Sequence, residues 1–262
     1  ALEENRFCLY AQEIAPLKPG DNKGGHIEIL LRLHDEAGRM ILPDSFIPAA
    51  ERYGLMSQLD RWVVQNVFKV IAQCIAQEHK RPLAMCAINL SGITIGDDAF
   101  LHFLREQFVN YAIPPEMICF EITETSAISN LGSAIRFINE LKGLGCYFSL
   151  DDFCAGMSSF AYLKHLPVDF LKIDGSFVKD MLDDPINRAM VEVINHIGHV
   201  MGKQTIAEFV ETTQIEQALL EIGVDYAQGY VIERPQLFTC DSLQSRPARP
   251  QPLLFIAPGT FR

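Results

Sequence analysis

Two adjacent aspartates, Asp151 and Asp152, end an apolar run that begins at Cys146. The run predicts a buried strand, and the sequence has no Lys or Arg after it until Lys164. Neighbouring carboxylates repel each other, so a positive partner is needed if both are to stay charged at the end of one strand. We interpret the pair as a candidate site for metal cations, in which Asp151 could bridge two ions.

Further polar side chains lie at or near the carboxyl ends of apolar runs. The set is Asn89, Glu121, Asp151, Asp152, Lys172, Asp174 and Glu208, while Glu28 and Arg32 share one face of the second run. Any one of these residues can simply mark the point where a strand leaves the core. In a parallel barrel, however, these ends meet at one mouth, where the catalytic groups of such enzymes collect. The repetition over strands three to seven therefore favours a shared site.

The ligand types in this set are carboxylates and one amide. Such oxygen ligands predict a hard cation, Mg²⁺ or Mn²⁺. His196 and His199 are one turn apart on a predicted helix but have no carboxylate at zinc-site spacing, so we interpret them as a surface pair. Ser158 and Ser159 are typical of a helix N-cap rather than of a nucleophile.

Strand-like runs alternate with amphipathic helical segments. The eight runs begin at Phe7, His26, Ala84, Met117, Cys146, Val168, Lys203 and Asp225, and the clearest helical segments are 59–75, 185–201 and 212–222. This alternation predicts an α/β protein with a parallel sheet covered on both faces, and about 250 residues suit a (β/α)8 barrel. A doubly wound open sheet is the alternative. The connection 15–25 has no helix period, which predicts a modified TIM barrel with an antiparallel first strand.

The composition limits the class of partner. The 262 residues carry a formal net charge of −11, which disfavours binding to a nucleic-acid polymer, because that binding depends on many Lys and Arg contacts to phosphate. The sequence contains no apolar run of membrane-spanning length, so we expect no direct membrane contact by this chain. Its seven cysteines include no C-x-x-C pair and predict buried free thiols in a reducing cytoplasm.

Seven motifs, in chain order, resemble those of the EAL domain family, which comprises bacterial cyclic di-GMP phosphodiesterases and their inactive relatives. They are EILLR at Glu28, INLS at Ile88, FEITET at Phe120, DDFCAGMSS at Asp151, LKID at Leu171, AEFVET at Ala207 and QGY at Gln228. The resemblance implies a phosphodiesterase barrel over residues 1–235, followed by a tail, 236–262, that is extended or partly packed on the barrel. It also implies hydrolysis of cyclic di-GMP to linear pGpG with Mg²⁺ or Mn²⁺, two ions per active site.

The resemblance also implies roles for individual residues. One metal would be held by Glu28, Asn89, Glu121 and Asp151, and the second by Asp151, Asp152 and Glu208. Lys172 resembles the lysine that contacts the attacking water. The expected catalytic residues are Lys172, Glu208 and Glu28. The expected substrate-binding residues are Gln12, Leu30, Arg32, Asp174 and Gln228. Glu124 resembles the anchor of the loop after Asp152, and Glu211 resembles a supporting acidic residue.

The chain departs from the usual family pattern at a few positions. Cys154, Ala155 and Met157 stand where Gly, Thr and Tyr are common, Phe209 replaces the Gly of Glu-Gly-Val-Glu, and Ile29 stands where Ala or Val is typical. None of these changes removes an expected ligand.

Two other functions stay open at this point. One is a receptor that binds cyclic di-GMP without cleaving it, and the other is a metal-dependent barrel enzyme that removes a proton with Lys172. We expect a cytoplasmic domain whose longer parent carries an upstream GGDEF or sensor domain and could itself be membrane-attached. A homodimer is a further option.

Overall fold

The computed structural model describes residues 4, 6–18, 25–77, 83–154 and 161–245. The expected serine cap at Ser158 and Ser159 lies outside these residues. So do the substitutions at Ala155 and Met157, part of the first connection, and the tail beyond residue 245.

Within the described residues, ten strands form one sheet. They are β1 (Phe7–Pro16), β2 (Gly25–His34), β3 (Met40–Ile41), β4 (Leu83–Asn89), β5 (Ile118–Thr123), β6 (Tyr147–Phe153), β7 (Phe170–Ile173), β8 (Gln204–Ala207), β9 (Tyr226–Gln228) and β10 (Gln236–Leu237). All eight predicted strands are present, and the short β3 and β10 are additions that the sequence did not indicate.

The sheet closes into a barrel through its first strand. From β2 the order runs through β4, β5, β6, β7 and β8 to β9, with parallel neighbours throughout. Strand β1 pairs antiparallel with both β2 and β9 and so joins the two ends. The predicted modified barrel with an antiparallel first strand is confirmed, and the open-sheet alternative is wrong.

Helices cover the outside of the barrel and its mouth. They are α1 (Pro43–Arg52), α2 (Met56–Ala76), α3 (Asp98–Tyr111), α4 (Glu124–Ser129), α5 (Leu131–Lys142), α6 (Gly175–Lys179), α7 (Pro185–Val200), α8 (Thr213–Ile222) and α9 (Cys240–Ser245). Most begin at a side chain that accepts a hydrogen bond from the first turn, as N-caps do: Asp97, Thr123, Asn130, Asp174, Asp184 and Thr212. The predicted helices 59–75, 185–201 and 212–222 correspond to α2, α7 and α8, although Ile75 is exposed.

The buried apolar residues form two layers. A small cluster inside the barrel comprises Ile14, Met85, Ala87, Cys119, Phe170, Ile206 and Tyr226. A much larger cluster joins the outer face of the sheet to the helices, with Phe68, Phe100, Phe120 and Phe148 fully buried. The inner cluster fills the lower part of the barrel, beneath the polar side chains at its mouth.

Residues 236–245, the described part of the tail, pack on the barrel. Strand β10 pairs antiparallel with β1, and the backbone N–H of the buried Phe238 donates to the carbonyl of Leu9 at 2.8 Å. A disulfide then joins Cys240, at the start of α9, to Cys74 in α2. The prediction of free thiols is therefore wrong for this pair, which lies 166 residues apart in sequence and is brought together only by the fold. Cys8, Cys119, Cys146 and Cys154 are free thiols.

Within the part of the chain that the structure describes, no helix combines the length and the apolar composition needed to cross a lipid bilayer.

Candidate active site

The alternation of the strands places the polar residues directly above the inner apolar cluster. In each parallel strand, the residue two positions beyond an inward-facing one points into the barrel again. Ala87, Cys119, Phe170, Ile206 and Tyr226 belong to the inner cluster, and two positions further on lie Asn89, Glu121, Lys172, Glu208 and Gln228. The antiparallel β1 brings Gln12 to the same level, opposite Glu28.

Lys172 lies at the centre of this layer. Its side chain is only 1% exposed, and its ammonium nitrogen forms four ion pairs: 2.9 Å to Glu208, 3.0 Å to Glu121, 3.1 Å to Asp151 and 3.3 Å to Glu28. Burial by itself would lower the pKa of Lys172, but the surrounding carboxylates raise it well above the ordinary value. Lys172 is therefore a charged hydrogen-bond donor in this site.

Glu28 is fixed by amide donors in addition to Lys172. Asn89 Nδ2 donates to one of its oxygens at 2.7 Å, and Gln228 Nε2 donates to the other at 2.6 Å. Gln228 also donates to Gln12 Oε1 at 3.2 Å. Burial raises the pKa of Glu28, but Lys172 and these donors outweigh it and hold the pKa below the ordinary value. The position of the Glu28 carboxylate is thus set by side chains from three other strands: β4, β7 and β9.

Two other carboxyl groups have raised pKa values. Burial is the main cause for Glu208, and Asp151 and Glu28 add repulsion that Lys172 only partly offsets, so its pKa rises to about 8. Burial likewise raises the pKa of Glu121 well above the ordinary value. One lysine therefore does not compensate the negative charge of this cluster.

A second group of carboxylates adjoins Lys172. Oxygens of Asp151, Asp152 and Glu208 all lie within 4.8 Å of one another. Burial raises the pKa of Asp152 to about 6, and the carboxylates of Asp151 and Asp174 add to the rise. Asp174 itself caps α6, where it accepts a hydrogen bond from Ser176 N at 2.8 Å.

The types of side chain gathered here suit the binding of divalent cations. Glu121 Oε1 is buried and has no hydrogen-bond partner among the described residues, which is costly unless a cation or water lies beside it. The available groups are carboxylate and amide oxygens, the ligands that Mg²⁺ and Mn²⁺ prefer. The excess of negative charge around Lys172 points the same way.

Glu124 binds both the residue after β6, Cys154, and Tyr162. One of its oxygens accepts a hydrogen bond from Cys154 N at 2.9 Å, and the other accepts from the hydroxyl of Tyr162. Cys154 has a φ of +69° and Asp152 a φ of +53°, so the backbone turns sharply where β6 ends.

A cavity of about 680 Å³ opens above the carboxylates. Of the expected site residues, it is lined by Gln12, Glu28, Leu30, Arg32, Asn89, Asp151, Glu208, Glu211 and Gln228. Arg32 lies over the ring of Tyr10, 5.8 Å from its centroid. Glu121, Lys172, Asp152, Asp174 and Glu124 do not belong to this lining; they lie beneath or beside it.

The arrangement of these motifs on the barrel agrees with a comparison to known families. The family model described as the EAL domain matches residues 1–235. This chain belongs to the EAL domain family.

Individual relatives support the assignment. This EAL domain is 40% identical over 253 residues to "Cyclic di-GMP phosphodiesterase PdeB" of Shewanella oneidensis, covering 95% of this chain and 29% of that protein. It is 37% identical over 236 residues to "Cyclic di-GMP phosphodiesterase PdeF" of Escherichia coli, covering 90% of this chain and 31% of that protein. The chain thus spans less than a third of the length of these relatives.

The fold also matches a solved EAL domain. The structure of the FimX EAL domain from Pseudomonas aeruginosa bound to c-di-GMP aligns with a TM-score of 0.82 and 34% identity, covering 90% of this chain and 93% of that one.

Sequence reasoning missed two features of this EAL domain. Asp60, buried in α2, accepts hydrogen bonds on one oxygen from Ser91 N at 3.1 Å, Ser91 Oγ at 2.6 Å and Thr94 Oγ1 at 2.9 Å, and so holds the turn after Asn89. An aspartate on the apolar face of a predicted helix was the available signal. The second feature is the contact between Phe209 and Lys179 at the cavity wall, which sequence spacing does not reveal.

Proposed function

We propose that this EAL domain hydrolyses cyclic di-GMP to linear pGpG with two divalent cations, Mg²⁺ or Mn²⁺. The observation that carries the proposal is the mouth of the barrel, where Lys172 is in contact with four carboxylates beneath a cavity large enough for a dinucleotide. The names of the relatives PdeB and PdeF state the same substrate and reaction.

Each expected ligand has a place in this proposal. Glu28, Asn89, Glu121 and Asp151 would hold one ion, and Asp151, Asp152 and Glu208 would hold the other. When bound, the ions supply Lewis-acid activation of water and neutralise the charge of the phosphodiester. Metal ions are needed because one general base accelerates a reaction only about 10²–10⁴-fold. Typical enzymes accelerate their reactions roughly 10⁶–10¹⁷-fold.

The protein groups position the reactants. The Lys172 ammonium is fixed by four carboxylates, which together occupy its three N–H donors. If a cation takes over one of these carboxylates, one N–H becomes available to donate a hydrogen bond to a water molecule. Glu208, in contact with Lys172, can accept a hydrogen bond from the same water. Gln12, Leu30, Arg32, Asp174 and Gln228 would bind the dinucleotide, with Arg32 offering a guanidinium to the phosphate. Glu211 would support the substrate pocket, and Glu124 would anchor the chain at Cys154.

The test is direct analysis of the product. The purified chain is incubated with cyclic di-GMP and Mn²⁺, and a parallel sample contains excess EDTA. We expect pGpG in the first sample only. Binding of cyclic di-GMP with no pGpG formed at saturating Mn²⁺ would instead favour the non-catalytic receptor.

The wider setting stays a prediction. We expect a cytoplasmic location and an upstream GGDEF or sensor domain in a longer parent protein, with a homodimer as an option. The domain boundary at residue 235 is likewise a prediction, although β10 and α9 continue the packing beyond it.

A further inference from the structure

Phe209 is placed at the cavity in an unfavourable conformation. It follows Glu208 in sequence and lines the cavity, and its φ is +52°. The left-handed region costs roughly 1–2 kcal/mol for a residue with a β-carbon. The residue is also 51% exposed, so its ring gains little from burial. A strained and exposed aromatic residue contributes little to stability, and such conformations persist chiefly at functional sites.

The ring of Phe209 is fixed in place by α6. A methyl group added at Gly175 would lie 2.2 Å from Cδ2 of the ring, so the ring packs directly on the glycine backbone. Lys179, one turn further along α6, places its ammonium nitrogen 4.1 Å from the ring centroid. The remainder of the ring is exposed at the cavity wall, beside the carboxylates.

We propose that Phe209 is a stacking platform for one purine base of the substrate. The inference rests on the proposed function, since it assigns a contact within that site. An aromatic face that is already immobilised loses little conformational freedom on binding, and base–aromatic stacking is effective with any base. Lys179 adds a positive charge beside the ring, which favours an anionic dinucleotide.

The test separates substrate binding from stability. Phe209→Gly removes the ring and also accepts a positive φ without strain. We expect the KM for cyclic di-GMP to rise about 5- to 100-fold, the range that corresponds to loss of one base stack. The kcat should change by less than about threefold, because the carboxylates and Lys172 are retained. The melting temperature should stay the same or rise. Phe209→Trp should keep a KM close to that of the wild type.

A matched control is Tyr147→Leu, which removes another exposed aromatic residue, at the start of β6 and so at the opposite end of the barrel. It should leave the KM unchanged.

An unchanged KM in Phe209→Gly, or a fall in its melting temperature with equal losses in kcat and kcat/KM, would overturn the platform. If the wild type does not hydrolyse cyclic di-GMP, the proposed function fails, and equilibrium binding still decides the inference. A Kd weakened to the same extent in Phe209→Gly supports the platform, and an unchanged Kd overturns it.

Discussion

Two of the four described non-glycine residues with a positive φ are Cys154, at +69°, and Phe209, at +52°. Both stand where the EAL pattern usually has glycine. Each position thus has a φ that suits glycine although it carries a larger side chain. At Phe209 the new side chain lies on the cavity wall. At Cys154 the backbone N–H remains bound to Glu124, which keeps the end of β6 in place.

Cys154→Gly is expected to stabilise the protein modestly. Removal of the β-carbon relieves the left-handed strain, while the added freedom of the unfolded chain offsets part of the gain, so we expect about 0.5–1 kcal/mol. Turnover should change by no more than about 10–100-fold, as is typical of changes in the groups that support a metal site. Urea unfolding and initial rates measure the two effects. A loss of stability would show that the positive φ imposes no strain.

Lys172→Ala is expected to spare binding of cyclic di-GMP and to lower turnover by about 100-fold or more. The variant leaves four carboxylates without their shared cation, so without metal it should lose about 3–5 kcal/mol of stability. Mn²⁺ should restore much of this loss, because the ions compensate the same carboxylates. Thermal unfolding with Mn²⁺ and with EDTA makes the comparison. Equal destabilisation in both conditions would show that no cation binds at these carboxylates.

The convergence of Glu121, Asp151, Lys172 and Glu208 was predictable from their positions at strand ends, but their individual contacts were not. Glu28 and Lys172 lie 144 residues apart in sequence and meet only when the barrel closes. Strand alternation placed both side chains inside the barrel. It could not show that one ammonium group would be shared by four carboxylates, because that depends on the diameter and register of the closed sheet.

The far end of the barrel is held together by a network that joins several elements. Asp225, just before β9, accepts hydrogen bonds from Thr205 N at 2.9 Å and from His199 Nε2 at 2.7 Å, and it lies 3.4 Å from Lys18. These partners belong to β8, to α7 and to the chain after β1. His199 was predicted to be a surface residue, and its side chain is 38% exposed, but it also takes part in this network.

Asp225→Asn is expected to lower the free energy of unfolding. It should also make that free energy vary less with pH in the acid range. Burial raises the pKa of Asp225, but the Thr205 and His199 donors outweigh burial and lower it below the ordinary value of 3.8. The stabilisation is therefore fully present above that ordinary value and is lost as the pH falls through the lowered one. We expect a cost of about 1–2 kcal/mol at neutral pH for this half-buried group.

Urea titrations of both proteins between about pH 6 and pH 2 measure the effect on the free energy of unfolding. The difference between wild type and Asp225→Asn should shrink towards the acid end. A constant difference would show that the charge of Asp225 has no part in the stabilisation.

At the scale of the whole molecule, a disulfide joins α2 to the segment after β10. The Cys74–Cys240 disulfide closes most of the barrel into one loop. Sequence reasoning predicted free thiols because the two cysteines have no local pairing pattern. It did not predict β10, since a two-residue strand is too short to give a periodic signal. The eight main strands and the barrel were predicted because each strand has its own apolar run.

Reduction of the disulfide is expected to lower the melting temperature. A closed loop of this length contributes about 5 kcal/mol in the chain-entropy model, which corresponds to roughly 10–20 °C for a protein of this size. Cys74→Ser should melt at the reduced value and no longer respond to a reductant, whereas Cys8→Ser should respond as the wild type does. If the reductant leaves the melting temperature of the wild type unchanged, the link does not stabilise the fold.

Asp151→Ala tests the proposed metal site most directly, because Asp151 contacts Lys172 and belongs to both sets of expected ligands. The residue lies at the mouth, above the apolar cluster inside the barrel, so the circular dichroism spectrum should be retained. The measurement is the rate of pGpG formation from cyclic di-GMP at saturating Mn²⁺, for the variant and the wild type side by side. We expect the wild type to turn over and the folded variant to show no detectable product. Near-normal turnover by Asp151→Ala would contradict the placement of the two ions.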